Sequence, residues 1–179
     1  MTIIGLMGSI GCGKGTVADL LVAEYSFKTV TVGDMVREEV TKRGLEITRE
    51  ITTQVSTELR SKDPSYFIKK IIEHIKSSDH NNWIIDGIRL PLDVKEYRKA
   101  FPEIKFIRVD VNPKLRFERM LTRGRADMPK TYEEFTAQEE LEKKRFNLDE
   151  TFSYADIVLI NEGSREELET SVRELMESF

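Results

Sequence analysis

The chain has 179 residues, 34% of them charged, with a formal net charge of −4 and one cysteine, Cys12. That length supports one domain with a substantial core, and the acidic balance argues against broad non-specific binding of nucleic acid. A lone cysteine forms no intramolecular disulfide and fits a reducing cytoplasm, while no apolar run approaches the ~18 residues of a membrane span and no basic leader marks a signal peptide.

Thr2 to Met7 is a β-branched, apolar run and reads as a buried strand. Gly8-Ser9-Ile10-Gly11-Cys12-Gly13-Lys14-Gly15-Thr16 follows at once, and Val17, Leu20 and Leu21 then recur at helical spacing. Residues 28 to 32 read as a second strand, ended by Gly33-Asp34, before a helix from Met35 that Gly44 stops. A further helix begins at Thr48, with Ile51, Val55 and Leu59 on one face. Asp63-Pro64 reads as a capping carboxylate and a first-turn proline, opening a helix with Phe67, Ile68, Ile71, Ile72 and Ile75 inward.

Trp83 to Asp86 is a short apolar strand that ends in a carboxylate, and Gly87-Ile88-Arg89 turns away from it. Val94, Tyr97 and Phe101 mark the next helix, and Ile104 to Val109 the fourth strand. Asn112-Pro113 caps a helix through Phe117, Met120 and Leu121 to Gly124. Residues 125 to 150 are highly charged, with a weak apolar pattern at Tyr132, Phe135, Leu141 and Phe146. Asp156 to Ile160 is the fifth strand. Ser164 and Glu167 form a capping box for the last helix, with Leu168, Val172, Leu175 and Met176 inward. The expected fold is α/β: three layers, a five-stranded parallel sheet with helices on both faces. A single domain over 1–179 is expected. Ligands of such sheets lie beyond the carboxyl ends of the strands, which aligns Gly8, Gly33-Asp34, Asp86 to Arg89 and Asn161 along one edge.

A strand, a glycine-rich loop, a lysine and a helix in that order make a phosphate-binding loop. The glycines let amides turn inward onto an anion, and the helix N-terminus adds positive potential. Gly8, Ser9, Gly11, Cys12, Gly13, Lys14, Gly15 and Thr16 are therefore the expected nucleotide-binding residues, with Lys14 reaching the β- and γ-phosphates. Asp86, held at a strand end, suits the coordination shell of Mg²⁺. The hydroxyl of Thr16, one place later than usual, is the other candidate metal ligand. Arg37 and Arg89, at two other strand ends, can grip a second phosphate through their guanidinium forks. Asp34 either takes a proton from the acceptor or holds Arg37 in place. Asn161 begins a loop that reaches the base. A bulky adduct on Cys12 is expected to hinder ATP. His74 and His80 have no partner at metal-ligand spacing, and no Asn-Lys-x-Asp segment is present to read guanine.

The Gly13-Lys14-Gly15-Thr16 ending resembles the adenylate kinase group of nucleoside monophosphate kinases. Thr31-Val32-Gly33-Asp34-Met35-Val36-Arg37 resembles their acceptor segment, and Asp86-Gly87-Ile88-Arg89 is similar to their second arginine segment. Together with Ala155-Asp156 and Asn161-Glu162-Gly163-Ser164, these stretches resemble an archaeal group of dephospho-CoA-kinase-like P-loop proteins, the UPF0200 family, over nearly the whole chain. The resemblance implies a P-loop NTPase fold, ATP and Mg²⁺ as cofactors, and a small phosphorylated acceptor with no nucleic-acid or membrane partner. The acceptor would be a nucleoside or deoxynucleoside monophosphate, with dephospho-CoA as the alternative. The chain would act as a monomer or homodimer, with acceptor-binding helices over about 34–80 and a helical lid over about 122–148. Arg119, Arg123 and Arg125, in a dense run with Arg116, would then neutralise the transferring phosphoryl group from that lid. Few apolar residues anchor the stretch, so the lid is expected to be mobile and to close over both substrates, packing Tyr132 and Phe135. The competing class is a nucleotide-dependent switch or ATPase without a small acceptor.

Overall fold

A computed structural model describes residues 1–123 and 129–179, with Arg123 described in its backbone only. Five strands, β1 (Thr2–Met7), β2 (Lys28–Thr31), β3 (Asn82–Asp86), β4 (Lys105–Asp110) and β5 (Ile157–Ile160), form one all-parallel sheet in the order β2-β3-β1-β4-β5. The helices are α1 (Lys14–Tyr25), α2 (Val32–Lys42), α3 (Arg49–Lys62), α4 (Tyr66–Lys76), α5 (Pro91–Ala100), α6 (Pro113–Arg123), α7 (Tyr132–Phe146), α8 (Leu148–Ser153) and α9 (Arg165–Glu177). None of them is long and apolar enough to cross a membrane.

The period of two along the strands divides the core into two halves. Ile3, Met7, Trp83, Ile85 and Phe106 pack on one face beneath α2 to α5 and α8. Ile4, Leu6, Ile84, Ile107 and Val109 pack on the other against α1 and α9. A parallel sheet buried on both faces places its functional groups at the strand ends, because its faces are full.

Three elements differ from the sequence expectation. β2 ends at Thr31, and Gly33 and Asp34 lie in the first turn of α2 rather than in a loop. Thr31 Oγ1 accepts from Asp34 N, and Thr31 N donates to the Asp34 carboxylate at 2.8 Å, so a reciprocal cap starts the helix early. α4 begins at Tyr66, because Asp63 accepts from Ser65 N and pairs with Lys69 instead of capping the helix directly. The charged stretch after position 130 is a docked pair of helices. Thr131 caps α7, acids fill its first turn and bases its last, which complements the helix dipole. Phe135, Leu148 and Phe152 are buried, whereas Leu141 is 69% exposed. Phe117, Tyr132 and Phe135 form an aromatic cluster joining α6 to α7. The anchors of this segment are more numerous than its composition implies.

Candidate active site

The loop between β1 and α1 is shaped by positive backbone angles at Gly8 (φ 146°), Gly11 (82°) and Gly13 (97°). A side chain at Gly8 would meet the carbonyl of Val109, and one at Gly13 would strike the Asn161 amide. The Lys14 ammonium folds back on this loop, donating to the carbonyls of Gly8 (2.6 Å) and Ser9 (3.4 Å). These are contacts that a phosphate would replace. The Cys12 thiol is buried in the core on the α1 side of the sheet and lies 3.8 Å from the Lys14 ammonium. A thiol adduct as a probe of ATP binding, anticipated from the sequence, is therefore blocked by burial.

A cavity of about 260 Å³ opens beside the loop, lined by Gly11, Gly13, Thr16, Arg119, Asn161 and Ser164 among others. Asn161 is 7% exposed. Its backbone N–H donates to Asp110 O, and its side-chain amide donates to Cys12 O at 2.9 Å. The side-chain amide of Asn161 thus fixes the phosphate loop to the end of β5, at the start of the loop expected to reach the base. Arg119 donates to the carbonyls of Asn161 (2.8 Å) and Gly163 (3.2 Å). It stands on the wall of this cavity, not among the residues around the acceptor arginines. Arg123's side chain and all of Arg125 lie outside the described residues.

Arg116 has a structural task. It is 5% exposed and donates to Val111 O and to Ile10 O at the tip of the phosphate loop. It also grips Glu139 of α7 through both nitrogens, at 2.5 and 2.8 Å, over the ring of Phe135. One guanidinium thus ties the loop, α6 and α7 together.

Asp86 closes β3 between Leu6 of β1 and Thr31 of β2. Its Oδ1 is buried without a hydrogen-bond partner among the described residues. Such an oxygen is costly unless a cation or a bound water satisfies it. No group of three or more His, Cys, Asp or Glu side chains exists among the described residues to cage a metal. One carboxylate plus phosphates and water is how Mg²⁺ is usually held, so the donor set fits that ion. Thr16 lines the smaller cavity, where Asp86 does not, and Gly15 stands in open space directly after the lysine.

A second cavity, of about 510 Å³, lies over the ends of β2 and β3. Four arginines line it: Arg37, Arg60, Arg89 and Arg145. Arg37 pairs with Asp34 at 2.6 Å. Arg89 is 3.8 Å from Glu142 and lies over Phe146, which Arg145 also approaches. Arg60 and Arg145 have no ion-pair partner among the described residues. The buried hydroxyl of Thr151 on α8 donates to Arg89 O and fixes the turn that carries this arginine. Partial burial pushes the Asp34 carboxyl up, but hydrogen bonds from Thr31 and Arg37 and the Arg37 charge outweigh it and hold it below the ordinary aspartate value. Both Asp34 oxygens are engaged. The pair with Arg37 is one of the two roles open to Asp34 from the sequence.

Sequence reasoning missed Arg60, Arg145 and Asp93 as cavity residues. A signal existed for the first: Thr53, Ser56, Thr57 and Arg60 recur at three- and four-residue spacing beside the apolar Ile51, Val55 and Leu59 stripe of α3.

A glycine loop at the central strand, a strand-end carboxylate and flanking cavities over the strand ends define a P-loop nucleotide-binding protein. A profile of the AAA domain matches residues 4–152. The chain belongs to the UPF0200 family: a member from Thermococcus gammatolerans is 38% identical over 182 residues, covering 99% of this chain and 95% of that protein. One from Methanothermobacter thermautotrophicus is 33% identical, covering 91% and 83%. Among solved structures, a shikimate kinase from Bacteroides thetaiotaomicron superposes with a TM-score of 0.62 at 14% identity, over 99% of this chain and 97% of that one. A gluconokinase from Sinorhizobium meliloti gives 0.60 at 17% identity, over 99% and 94%. These likenesses establish the fold as that of P-loop kinases.

Proposed function

We propose that this chain is an ATP- and Mg²⁺-dependent kinase whose acceptor is a nucleoside or deoxynucleoside monophosphate. The observation that carries the reading is the second cavity, lined by four arginines beyond the ends of β2 and β3, at the sheet edge that also carries the phosphate loop. A donor nucleotide needs only one cavity. A second one lined with guanidinium groups is suited to a second phosphate, and the likeness to a shikimate kinase and a gluconokinase supports transfer to a small molecule.

The loop amides and Lys14 hold the donor phosphates. Asp86 provides the carboxylate toward Mg²⁺, which when bound neutralises charge on the β- and γ-phosphates. Arg37, fixed by Asp34, and Arg89, fixed through Thr151, hold the acceptor phosphate. An acceptor oxygen attacks the γ-phosphorus, the bond to the β,γ-bridging oxygen breaks, and ADP leaves. A phosphate oxygen is already anionic at neutral pH and needs no base. That agrees with an Asp34 whose oxygens are both occupied, and it favours a phosphate over a hydroxyl acceptor. Arg119 steadies the donor side, while Arg123 and Arg125 stand next in the chain to cover the transferring group.

The test is ADP release from ATP and Mg²⁺ over a panel of nucleoside and deoxynucleoside monophosphates, dephospho-CoA and phosphorylated metabolites. A monophosphate that raises ADP release well above the acceptor-free rate supports the proposal. Stimulation by dephospho-CoA alone moves the acceptor to that class, and an unchanged rate across the panel replaces the kinase by an ATPase or switch.

A further inference from the structure

A third cavity, of about 300 Å³, lies beyond the end of β4 and shares no lining residue with the two described above. Its walls include Ser9 of the phosphate loop, Arg108 and Asp110 of β4, Lys143 of α7, and Asp149 and Phe152 of α8. The phosphate loop and the docked helix pair thus face each other across it.

Arg108 is the under-paired group on this wall. Its Nη2 donates to Asp110 at 2.8 Å, and its guanidinium lies 5.0 Å from the centre of the Phe152 ring, which holds the plane in place. Nε is buried without a hydrogen-bond partner, and Nη1 has none among the described residues either. The only other buried side-chain atom in that condition among them is Asp86 Oδ1, the candidate for the metal. A guanidinium has five N–H donors and no acceptor. Taking it partly out of water with one hydrogen bond leaves it short of negative charge.

The neighbouring charges do not make up the deficit. Arg116 is spent on Glu139, and Asp110 already serves Arg108. Lys143 has one partner, the exposed Glu140 at 3.5 Å. Asp149 is exposed in the first turn of α8, where a carboxylate complements the helix dipole without help from the cavity. A bound water could accept from one N–H, but it carries no charge to balance Arg108 and Lys143 together. An oxyanion does both, through charge-assisted hydrogen bonds.

We infer that this cavity is an anion site separate from both nucleotide cavities. It takes the phosphate or carboxylate end of a small molecule, with the Arg108 guanidinium and the Lys143 ammonium as its donors and the Ser9 hydroxyl beside them. The inference rests on Arg108 and is independent of the kinase reading.

The side-chain N–H signal of Arg108 in a nuclear magnetic resonance titration tests it, identified through its bonds to the Arg108 backbone. Inorganic phosphate and acetate are added separately, at constant ionic strength, to the full-length wild type and to Lys14→Ala, which weakens anion binding at the phosphate loop. The Arg108 signal should move saturably in both proteins, and Lys143→Ala should raise the midpoint severalfold. Movement with phosphate alone assigns the site to phosphate-bearing molecules, with acetate alone to carboxylates, and with both to either. A signal unmoved by both anions overturns the inference. A shift seen in the wild type and lost in Lys14→Ala overturns it too, because the signal then reports the phosphate loop. An unchanged midpoint in Lys143→Ala also overturns it, since the anion is then not held between the two cations.

Discussion

The smaller cavity is lined by three glycines, which offer only backbone, together with the residues around them. Gly11 and Gly13 present amides from one contiguous loop, and the carbonyls of Asn161 and Gly163 are held in place by Arg119. The larger cavity is walled by side chains from separated elements: Arg37 on α2, Arg60 on α3, Arg89 after β3 and Arg145 on α7. A backbone-built site accepts any group with the right charge and size, and recognises what nucleotides share, their phosphates. A site of converging side chains can be specific, because each wall can change independently. Generality on the donor side and selectivity on the acceptor side follow from that difference in construction.

The largest expected effect falls on what joins the two regions. Arg116→Ala removes a buried guanidinium that binds the loop tip, the end of β4 and Glu139 at once. It leaves Glu139 without a partner among the described residues at 16% side-chain exposure, so breaking the pair should cost about 3–5 kcal/mol in a urea melt. A loss under ~1 kcal/mol would mean that α7 is not held to the phosphate loop through this residue.

Next is Lys14→Ala. Losing a charge aimed at the transferring group should reduce transfer by about 2.7–4 kcal/mol, on the order of 10²–10³ in rate. The melt should move little, since only two carbonyl contacts and one long contact to the Cys12 thiol are lost from the half-buried ammonium. Transfer at the wild-type rate would remove the donor site from this loop.

Smaller losses, confined to one side, should follow from the acceptor arginines. Arg37→Ala, Arg60→Ala and Arg89→Ala should each weaken acceptor binding by about 1.5–3 kcal/mol, with ATP affinity within a factor of about two of the wild type. A parallel fall in ATP affinity would erase the division between the cavities.

The donor side was readable because it is local. Strand, glycines, lysine and helix occupy one run of residues, and the positive φ values at Gly8, Gly11 and Gly13 are what the glycine spacing requires. Arg37, Asp86 and Arg89 were readable because they end or follow strands, and a parallel sheet brings strand ends to one edge. Arg60 and Arg145 were not, because they sit in helices whose approach depends on tertiary packing. Arg116 shows the opposite failure: an arginine-rich run looks like a cationic surface, and only the position of Glu139 twenty-three residues on turns one of them into a buried tie. Asn161 was readable as an edge residue, but the tie of its amide to the carbonyl of Cys12 across the sheet was not, because the two lie far apart in the chain.

The smallest expected effect concerns Asp34. Its carboxyl lies below its ordinary value of 3.8, so its contribution to stability is complete above that pH and is lost as pH falls through the lower folded value. Melting temperatures of wild type and Asp34→Asn should therefore differ above pH 3.8 and converge below it. A difference that persists into the acid limb would mean that the variant acts through packing, not through the charge on the cavity rim.

The central claim, that two cavities at one sheet edge pass a phosphoryl group between bound molecules, is tested most directly by the destination of the label from γ-labelled ATP. With Mg²⁺ and a nucleoside monophosphate present, the account predicts that the label appears in the nucleoside diphosphate, that inorganic phosphate stays minor, and that Arg89→Ala lowers the transferred fraction. Label released chiefly as inorganic phosphate, at a rate indifferent to the monophosphate and to Arg89, would contradict it.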